Sequence, residues 1–393
     1  MKIGFNALPL QSPANGSSQY LLYLLHALSE IDTQNEYVLL GANFVARDSK
    51  GRLKGSSLPI PFPYQIHPTL AFNLHSENIQ KVLWEQFTGP RAARANEVDL
   101  FHIPYFAPPI ASRVPTIVTI HDAIPLRLPL YRSGARVEAY MRLVASAAHK
   151  ATMIITVSQH AKEDIMDALH LPAERIRVIY EAAGDEYVPI TDTAILAAAR
   201  ARYGIGEQYV FYLGGLDSRK NVSQLVRAFA QLYRQLENPH LQLFISGNPA
   251  KQKGPFFPDP RPVAAELGIS DQVIYRFVEE EDKAAIYSGA SLFVYPSMYE
   301  GFGLPPLEAM SCGAPVVCSN RTSLPEVVGD AALCVDPDDT QALAAAMHKV
   351  LTDTTLRDDL RARSMQRATQ FSWRKTATET LSAYEEALTR SKK

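Results

Sequence analysis

Short apolar runs alternate with helix-period segments along almost the whole of this chain, and that alternation constrains the fold more than any other feature. Strands buried on both faces read as continuous apolar runs, and parallel strands need crossover helices between them. The pattern therefore predicts α/β architecture with parallel sheets covered by helices. In the first half, strands are expected at 2–7, 37–40, 99–103, 116–120, 153–157 and 176–180. Between them, 17–28 places Tyr20, Leu21, Leu24, Leu25 and Leu28 at helical spacing, and 135–149 does the same with Val137, Tyr140, Met141 and Val144.

A stretch of turn residues at 184–193 breaks the rhythm, and a second series follows with strands at 209–213, 241–246, 273–277, 292–295, 315–318 and 332–335. At 393 residues the chain exceeds the size to which one core usually grows. Two doubly wound domains are expected, 1–188 and 189–372, with a final helix at 373–393 crossing back onto the first. The passage 46–69, rich in Gly and Pro, reads as irregular, and Arg47, Lys50, Arg52 and Lys54 within it suit phosphate headgroups or, more blandly, a solvated loop.

Charge excludes some functions. Lys and Arg total 39 against 41 for Asp and Glu, so no global field gathers nucleic acid. The span 47–150 carries thirteen basic and seven acidic residues, and a peripheral membrane contact is expected only through this basic first domain. No apolar run approaches the ~18 residues needed to span a bilayer. Three cysteines, Cys312, Cys318 and Cys334, lack metal-ligand spacing and fit a reducing cytosol. The expected location is cytoplasmic, with any membrane contact at the inner face.

The segment that carries chemistry follows the strand 292–295: Pro296 to Tyr299, then Glu300-Gly301-Phe302-Gly303-Leu304-Pro305-Pro306-Leu307-Glu308. In an open parallel sheet the ligand crevice lies beyond the strands' carboxyl ends, where this turn falls. Gly301 and Gly303 permit close backbone approach, and the prolines suit the first turn of a helix whose amino end favours anions. Carboxylates at Glu300 and Glu308 accept hydrogen bonds from sugar and ribose hydroxyls.

This Glu-x7-Glu segment resembles the signature of the retaining GT-B glycosyltransferases, above all family 4, and the resemblance covers nearly the whole chain. It implies two Rossmann-like domains with the active site in the cleft between them. The turn Leu-Gly-Gly-Leu-Asp-Ser-Arg-Lys-Asn ending at Asn221 resembles the family's phosphate-binding turn. Many relatives carry an arginine at the position of Gly215. The phosphate role here therefore rests on Arg219, a planar fork, and Lys220, a point charge, as in a mannosyltransferase-like subset.

His121, at the carboxyl end of the strand 116–120, resembles the active-site histidine that contacts the donor sugar; Asp122 is left open between acceptor contact and turn formation. Asn15, Gly16, Ser17 and Ser18 resemble the loop under the donor phosphates. Val278 falls where backbone groups read the base, and Phe302, Gly303 and Leu304 line the donor. Of the softer resemblances at Trp84-Glu85-Gln86, 99–105, Thr156-Val157-Ser158 and Phe371-Ser372-Trp373, most residues read as packing and capping.

The implied reaction is retaining transfer of a hexose from a nucleotide diphosphate sugar to a glycan or lipid-linked saccharide hydroxyl. The subset implies mannose from GDP-mannose, with UDP-glucose and UDP-N-acetylglucosamine as other donors. No cofactor or metal is expected: Asp336-Pro337-Asp338 has the Asp-x-Asp spacing of metal-dependent enzymes but leads into a helix and reads as a capped turn. The sequence lacks the glycine-rich cradles of dehydrogenases and P-loop enzymes. Two alternatives remain: a hydrolysing nucleotide-sugar epimerase on a similar fold, or a non-catalytic sugar-nucleotide-binding relative.

Overall fold

The computed structural model describes residues 1–11, 16–42, 61–67, 77–132, 134–247, 254 and 256–391. Asn15 and the four basic residues Arg47, Lys50, Arg52 and Lys54 lie outside the described residues. The chain divides into two compact units, Met1–Glu181 with Trp373–Lys393, and Ala182–Ser372.

The first unit holds a seven-stranded parallel sheet. Its strands are β1 (Lys2–Asn6), β2 (Glu36–Gly41), β3 (Tyr64–Ile66), β4 (Leu100–Ile103), β5 (Thr116–Thr119), β6 (Met153–Thr156) and β7 (Ile176–Val178). They lie in the order β3-β2-β1-β4-β5-β6-β7. Residues of β4, β5 and β6 are buried throughout, as strands covered on both faces must be. Strand β3 falls inside the passage read as irregular. Only three residues long, mostly exposed, and set among prolines, it has no apolar run by which to announce itself.

The last helix, Trp373–Ser391, belongs to this first unit. Its stripe Thr376, Ala377, Thr380, Ala383, Tyr384 and Ala387 is buried. Trp373 stacks on Tyr23 at 5.2 Å between centroids, and the Tyr384 hydroxyl lies 2.7 Å from His102 Nδ1.

The second unit holds a six-stranded parallel sheet of β8 (Tyr209–Leu213), β9 (Gln242–Ser246), β10 (Val273–Arg276), β11 (Leu292–Tyr295), β12 (Val316–Ser319) and β13 (Leu333–Val335). Their order is β10-β9-β8-β11-β12-β13. Phe211, Phe244, Tyr287 and Phe293 pack ring against ring across the sheet and its covering helix. Burying a side chain such as Phe211 or Phe244 stabilises by about 1.5–3 kcal/mol. The segment 182–188, which the sequence reading leaves with the first domain, packs with the second. Tyr187 donates to Glu280 at 2.7 Å and meets the Tyr287 ring edge-on.

In each sheet the strand order reverses once, beside β1 and β4 in the first and beside β8 and β11 in the second. Crossovers leave in opposite directions there, opening a crevice at the strands' carboxyl ends.

Candidate active site

The turns after β8 and β11 meet at the switch point of the second sheet. The amide of Met298 donates to the Arg219 carbonyl at 2.7 Å, tying one turn to the other. Tyr212, stacked on Tyr295, pins the first turn by donating to the Gly215 carbonyl at 2.7 Å. A Cβ at Gly215 would come 2.8 Å from Asp217 Oδ2, so the space that a larger side chain needs is taken by the carboxylate that pairs with Arg219 Nε at 3.1 Å.

This geometry brings Arg219, Lys220 and Glu300 together. Three donors converge on Glu300 Oε1: Lys220 Nζ at 2.6 Å, Arg219 Nη1 at 2.9 Å and Ser297 Oγ at 2.5 Å. Lys220 also donates to Tyr295 Oη at 2.5 Å, and Arg219 to the Tyr299 carbonyl at 2.9 Å. Burial alone would raise the Glu300 carboxyl, but Lys220 and Arg219 hold it down to about 2. Burial pulls the Lys220 ammonium below its ordinary value, and Glu300 opposes that pull. The result is an ion cluster of two cations, Glu300 and Asp217, with Glu300 fixed as the anion.

The backbone that carries Glu300 is clamped by the segment after β12. The Glu300 amide donates to Thr322 Oγ1 at 3.0 Å, while Ser323 Oγ lies 2.6 Å from the Phe302 carbonyl and 3.0 Å from that of Glu300. Phe302 is buried, with its ring edge-on to Phe371. Gly303 has φ +121°, a conformation that favours glycine, and an added Cβ would also stand 2.7 Å from Leu324 Cδ2, at the end of a side chain that would have to shift. It caps the helix Leu304–Ser311. Pro305 and Pro306 carry no amide hydrogens, which confines anion binding at this helix start to the Gly303 and Leu304 amides.

Glu308 sits in a separate pocket of charge one turn along that helix. It accepts from Tyr287 Oη at 2.9 Å, and its carboxyl is pushed up to about 7 by burial, against the pull of Lys283 and Tyr287 and with the help of Glu280 and Glu186. The Val278 amide donates to Ser246 Oγ at 3.2 Å.

In the first unit, His121 follows β5. Nδ1 lies 2.9 Å from Glu181 Oε1 and Nε2 lies 3.1 Å from the Pro104 carbonyl, so both ring nitrogens face acceptors and both carry hydrogen. Burial would lower its pKa, but Glu181 raises it above the ordinary histidine value. The two acceptors favour the protonated imidazole. By contrast, buried His102, between Tyr384 and Thr119, is pushed down to about 3 by burial and by His121. Gly16 begins the helix Gly16–Ile31, where an added Cβ would meet nothing within 4 Å, and Ser17 follows half-buried.

Several partners escaped sequence reading. Tyr295, Ser297, Thr322 and Ser323 were indistinguishable from strand and turn residues, and Glu181, sixty positions from His121, has no local signal. Trp84-Glu85-Gln86 is one of the softer resemblances, most of which are expected to be packing and capping residues. Gln86 and Trp84 do pack, but Glu85 is a buried carboxylate accepting from Tyr105 at 3.0 Å and Tyr140 at 2.9 Å, in a single π-helical turn, Trp84–Thr88. Asp336 and Asp338 pair with Arg321 at 2.8 and 2.7 Å, and the cap of the helix Thr340–Thr352 is Asp339. Among the described residues no group of three or more His, Cys, Asp or Glu is placed to hold a metal ion.

Two parallel-sheet α/β units, each with one switch point, match the GT-B fold, and solved structures agree. Sucrose-phosphate synthase from Thermosynechococcus elongatus superposes with a TM-score of 0.75 at 21% identity, covering 98% of both chains. Anabaena Alr3699/HepE in complex with UDP and glucose gives 0.73 at 19% identity, over 98% of this chain and 100% of that one. Residues 14–183 match Glycosyltransferase Family 4, and residues 198–367 match Glycosyl transferases group 1. The O-antigen chain mannosyltransferase B of Escherichia coli is 32% identical over 98% of this chain and 99% of its own length. An MMP alpha-(1->4)-mannosyltransferase of Mycolicibacterium hassiacum is 30% identical over 70% of this chain and 66% of its own. The chain belongs to glycosyltransferase family 4 and is a glycosyltransferase. Among the described residues no helix is long and apolar enough to cross a membrane.

Proposed function

We propose that this enzyme transfers mannose, with retention of configuration, from GDP-mannose to a saccharide hydroxyl in the assembly of a cell-envelope polysaccharide. The observation that carries the reading is the convergence of Arg219, Lys220 and Ser297 on one oxygen of Glu300 at the switch point. Two relatives named as mannosyltransferases, one of them similar over its full length, support mannose as the sugar, and the guanine base rests on the resemblance to the mannosyltransferase-like subset.

Chemically, the cluster suits a diphosphate leaving group. Arg219 and Lys220 supply two cations, and the Gly303 and Leu304 amides supply neutral donors, so charge developing on the departing phosphate meets groups already in place. Glu300, with Oε1 saturated by donors, offers Oε2 to sugar hydroxyls; held as an anion by its neighbours, it orients and does not shuttle protons. Glu308 accepts from the ribose, and the Val278 backbone addresses the base. The acceptor proton passes to the leaving phosphate as the glycosidic bond forms on the face that the phosphate leaves. Metal independence is part of the proposal: the cationic role falls to Arg219 and Lys220, and the Asp336 and Asp338 carboxylates are spent on Arg321.

Thermal-shift measurements across GDP-mannose, UDP-glucose and UDP-N-acetylglucosamine test the donor, and product analysis by NMR of the anomeric proton tests retention. Stabilisation by a uridine donor alone, or an inverted product, overturns the reading.

A further inference from the structure

Cys318 on β12 and Cys334 on β13 occupy one rung of the second sheet, in direct register, with their sulfurs 3.7 Å apart. We infer that this rung is an oxidative modification site, at which a small-molecule disulfide such as glutathione disulfide closes a Cys318–Cys334 cross-link that displaces the clamp on Glu300.

The geometry is close to bonding. Neighbouring strands lie about 4.7–4.9 Å apart, inside the ~4.4–6.8 Å Cα separation a disulfide tolerates. Cys318 is fully buried, whereas Cys334 is partly exposed on β13, at the sheet's edge, and is the sulfur that a solute reaches. The two thiols share a hydrogen bond in which either can donate, and burial raises the Cys318 thiol, which leaves the more exposed Cys334 as the one to ionise. Cys334 is thus the nucleophile. Its thiolate attacks one sulfur of the oxidant, forming a mixed disulfide and expelling one thiolate. Cys318 then loses its proton, attacks the Cys334 sulfur and expels the second. Two protein thiols are oxidised and one small disulfide is reduced to two thiols.

The rung is joined to the site from both sides. Tyr295, whose hydroxyl accepts from Lys220, is the register partner of Cys318 on β11. Immediately beyond Cys318 and Cys334, the Asn320 amide donates to the Val335 carbonyl at 2.9 Å, and Arg321 pairs with Asp336 and Asp338. Thr322 and Ser323, the next two residues, hold the Glu300 and Phe302 backbone. Bringing the sulfurs from 3.7 Å to the bonded ~2.0 Å draws β13 towards β12 at the root of that clamp. The third cysteine, Cys312, is buried at the end of the helix Leu304–Ser311 with its thiol pushed up by burial, and serves as the internal control.

The cross-link itself is independent of the proposed donor and acceptor; its effect on transfer rests on that reading. The full chain is incubated with glutathione disulfide, alkylated, digested and mapped by mass spectrometry, with transfer rate and amide hydrogen exchange at 297–303 followed in parallel. The expected result is a linked Cys318–Cys334 peptide pair, altered exchange at 297–303, and transfer reduced by about ten- to a hundredfold, the scale on which ångström displacements act. Dithiothreitol restores all three, and Cys312→Ser leaves the cross-link intact. Cys334→Ser, at the exposed partner, abolishes the response without touching the buried thiol. Recovery of Cys318 and Cys334 as free thiols or as separate glutathione adducts overturns the inference, as does a cross-link that leaves exchange at 297–303 unchanged. Should no donor support transfer, the proposed function fails, while mapping and exchange still decide this one.

Discussion

Glu300→Gln isolates charge from shape at the centre of the site. The amide keeps an oxygen for Ser297, Arg219 and Lys220, but the four-residue cluster changes from neutral to singly positive. The depression of the Glu300 carboxyl from its ordinary 4.5 to about 2 corresponds to roughly 3 kcal/mol of folding stability. Removing one partner of a buried pair typically costs about 3–5 kcal/mol, so two routes agree on size. Because the folded carboxyl is the stronger acid, this stability is present above about pH 4.5 and is lost as pH falls towards 2. At neutral pH the variant's second unit should therefore unfold about 6–12 °C lower in scanning calorimetry, and its acid destabilisation between those values should flatten. Transfer from GDP-mannose, followed by release of nucleoside diphosphate, should fall about a hundred- to a thousandfold in kcat. Donor affinity should hold or improve, because the excess positive charge attracts the diphosphate. A variant with unchanged melting and kcat within about twofold of the parent would refute the cluster as the seat of charge control.

Three further outcomes follow from neighbouring geometry. Donor affinity measured by calorimetry should rise as pH increases through about 7, where Glu308 ionises and becomes an acceptor for ribose, and Glu308→Gln should remove that dependence. Glu181→Gln should lower the His121 pKa in an NMR titration; since the folded value is raised, the parent's stability advantage should be full below the unfolded histidine value and vanish as pH climbs through the folded one. Gly303→Ala forces a side chain into φ +121° against Leu324 and should cost about 1–3 kcal/mol with weakened donor binding, whereas Gly16→Ala, which meets nothing, should be near neutral in thermal melts.

The alternation of apolar runs made the two parallel sheets legible, because a strand buried on both faces has to be apolar throughout. Strand β3 was illegible for the converse reason: short, exposed and held mainly by backbone hydrogen bonds, it leaves no side-chain pattern. The Glu300–Glu308 segment was legible because a positive-φ turn and a proline-initiated helix demand particular residues in sequence. Its spacing suggested one crevice for two carboxylates, but the folded chain gives them opposite environments. Glu300 faces two cations and is a strong acid; Glu308 is buried beside Tyr287 with other carboxylates near and is a weak one.

Sequence by itself determined which segments become the buried strands, where the glycine-rich turns fall and which charged residues stand in them, since each depends on residues a few positions apart. Tertiary structure alone decided the charge states. Glu181 reaches His121 across sixty residues, Lys220 reaches Glu300 across eighty, and Cys318 meets Cys334 only because β12 and β13 pair in that register. Such contacts are set by sheet order and burial, and a carboxylate, imidazole or thiol takes its chemistry from the groups that folding places around it.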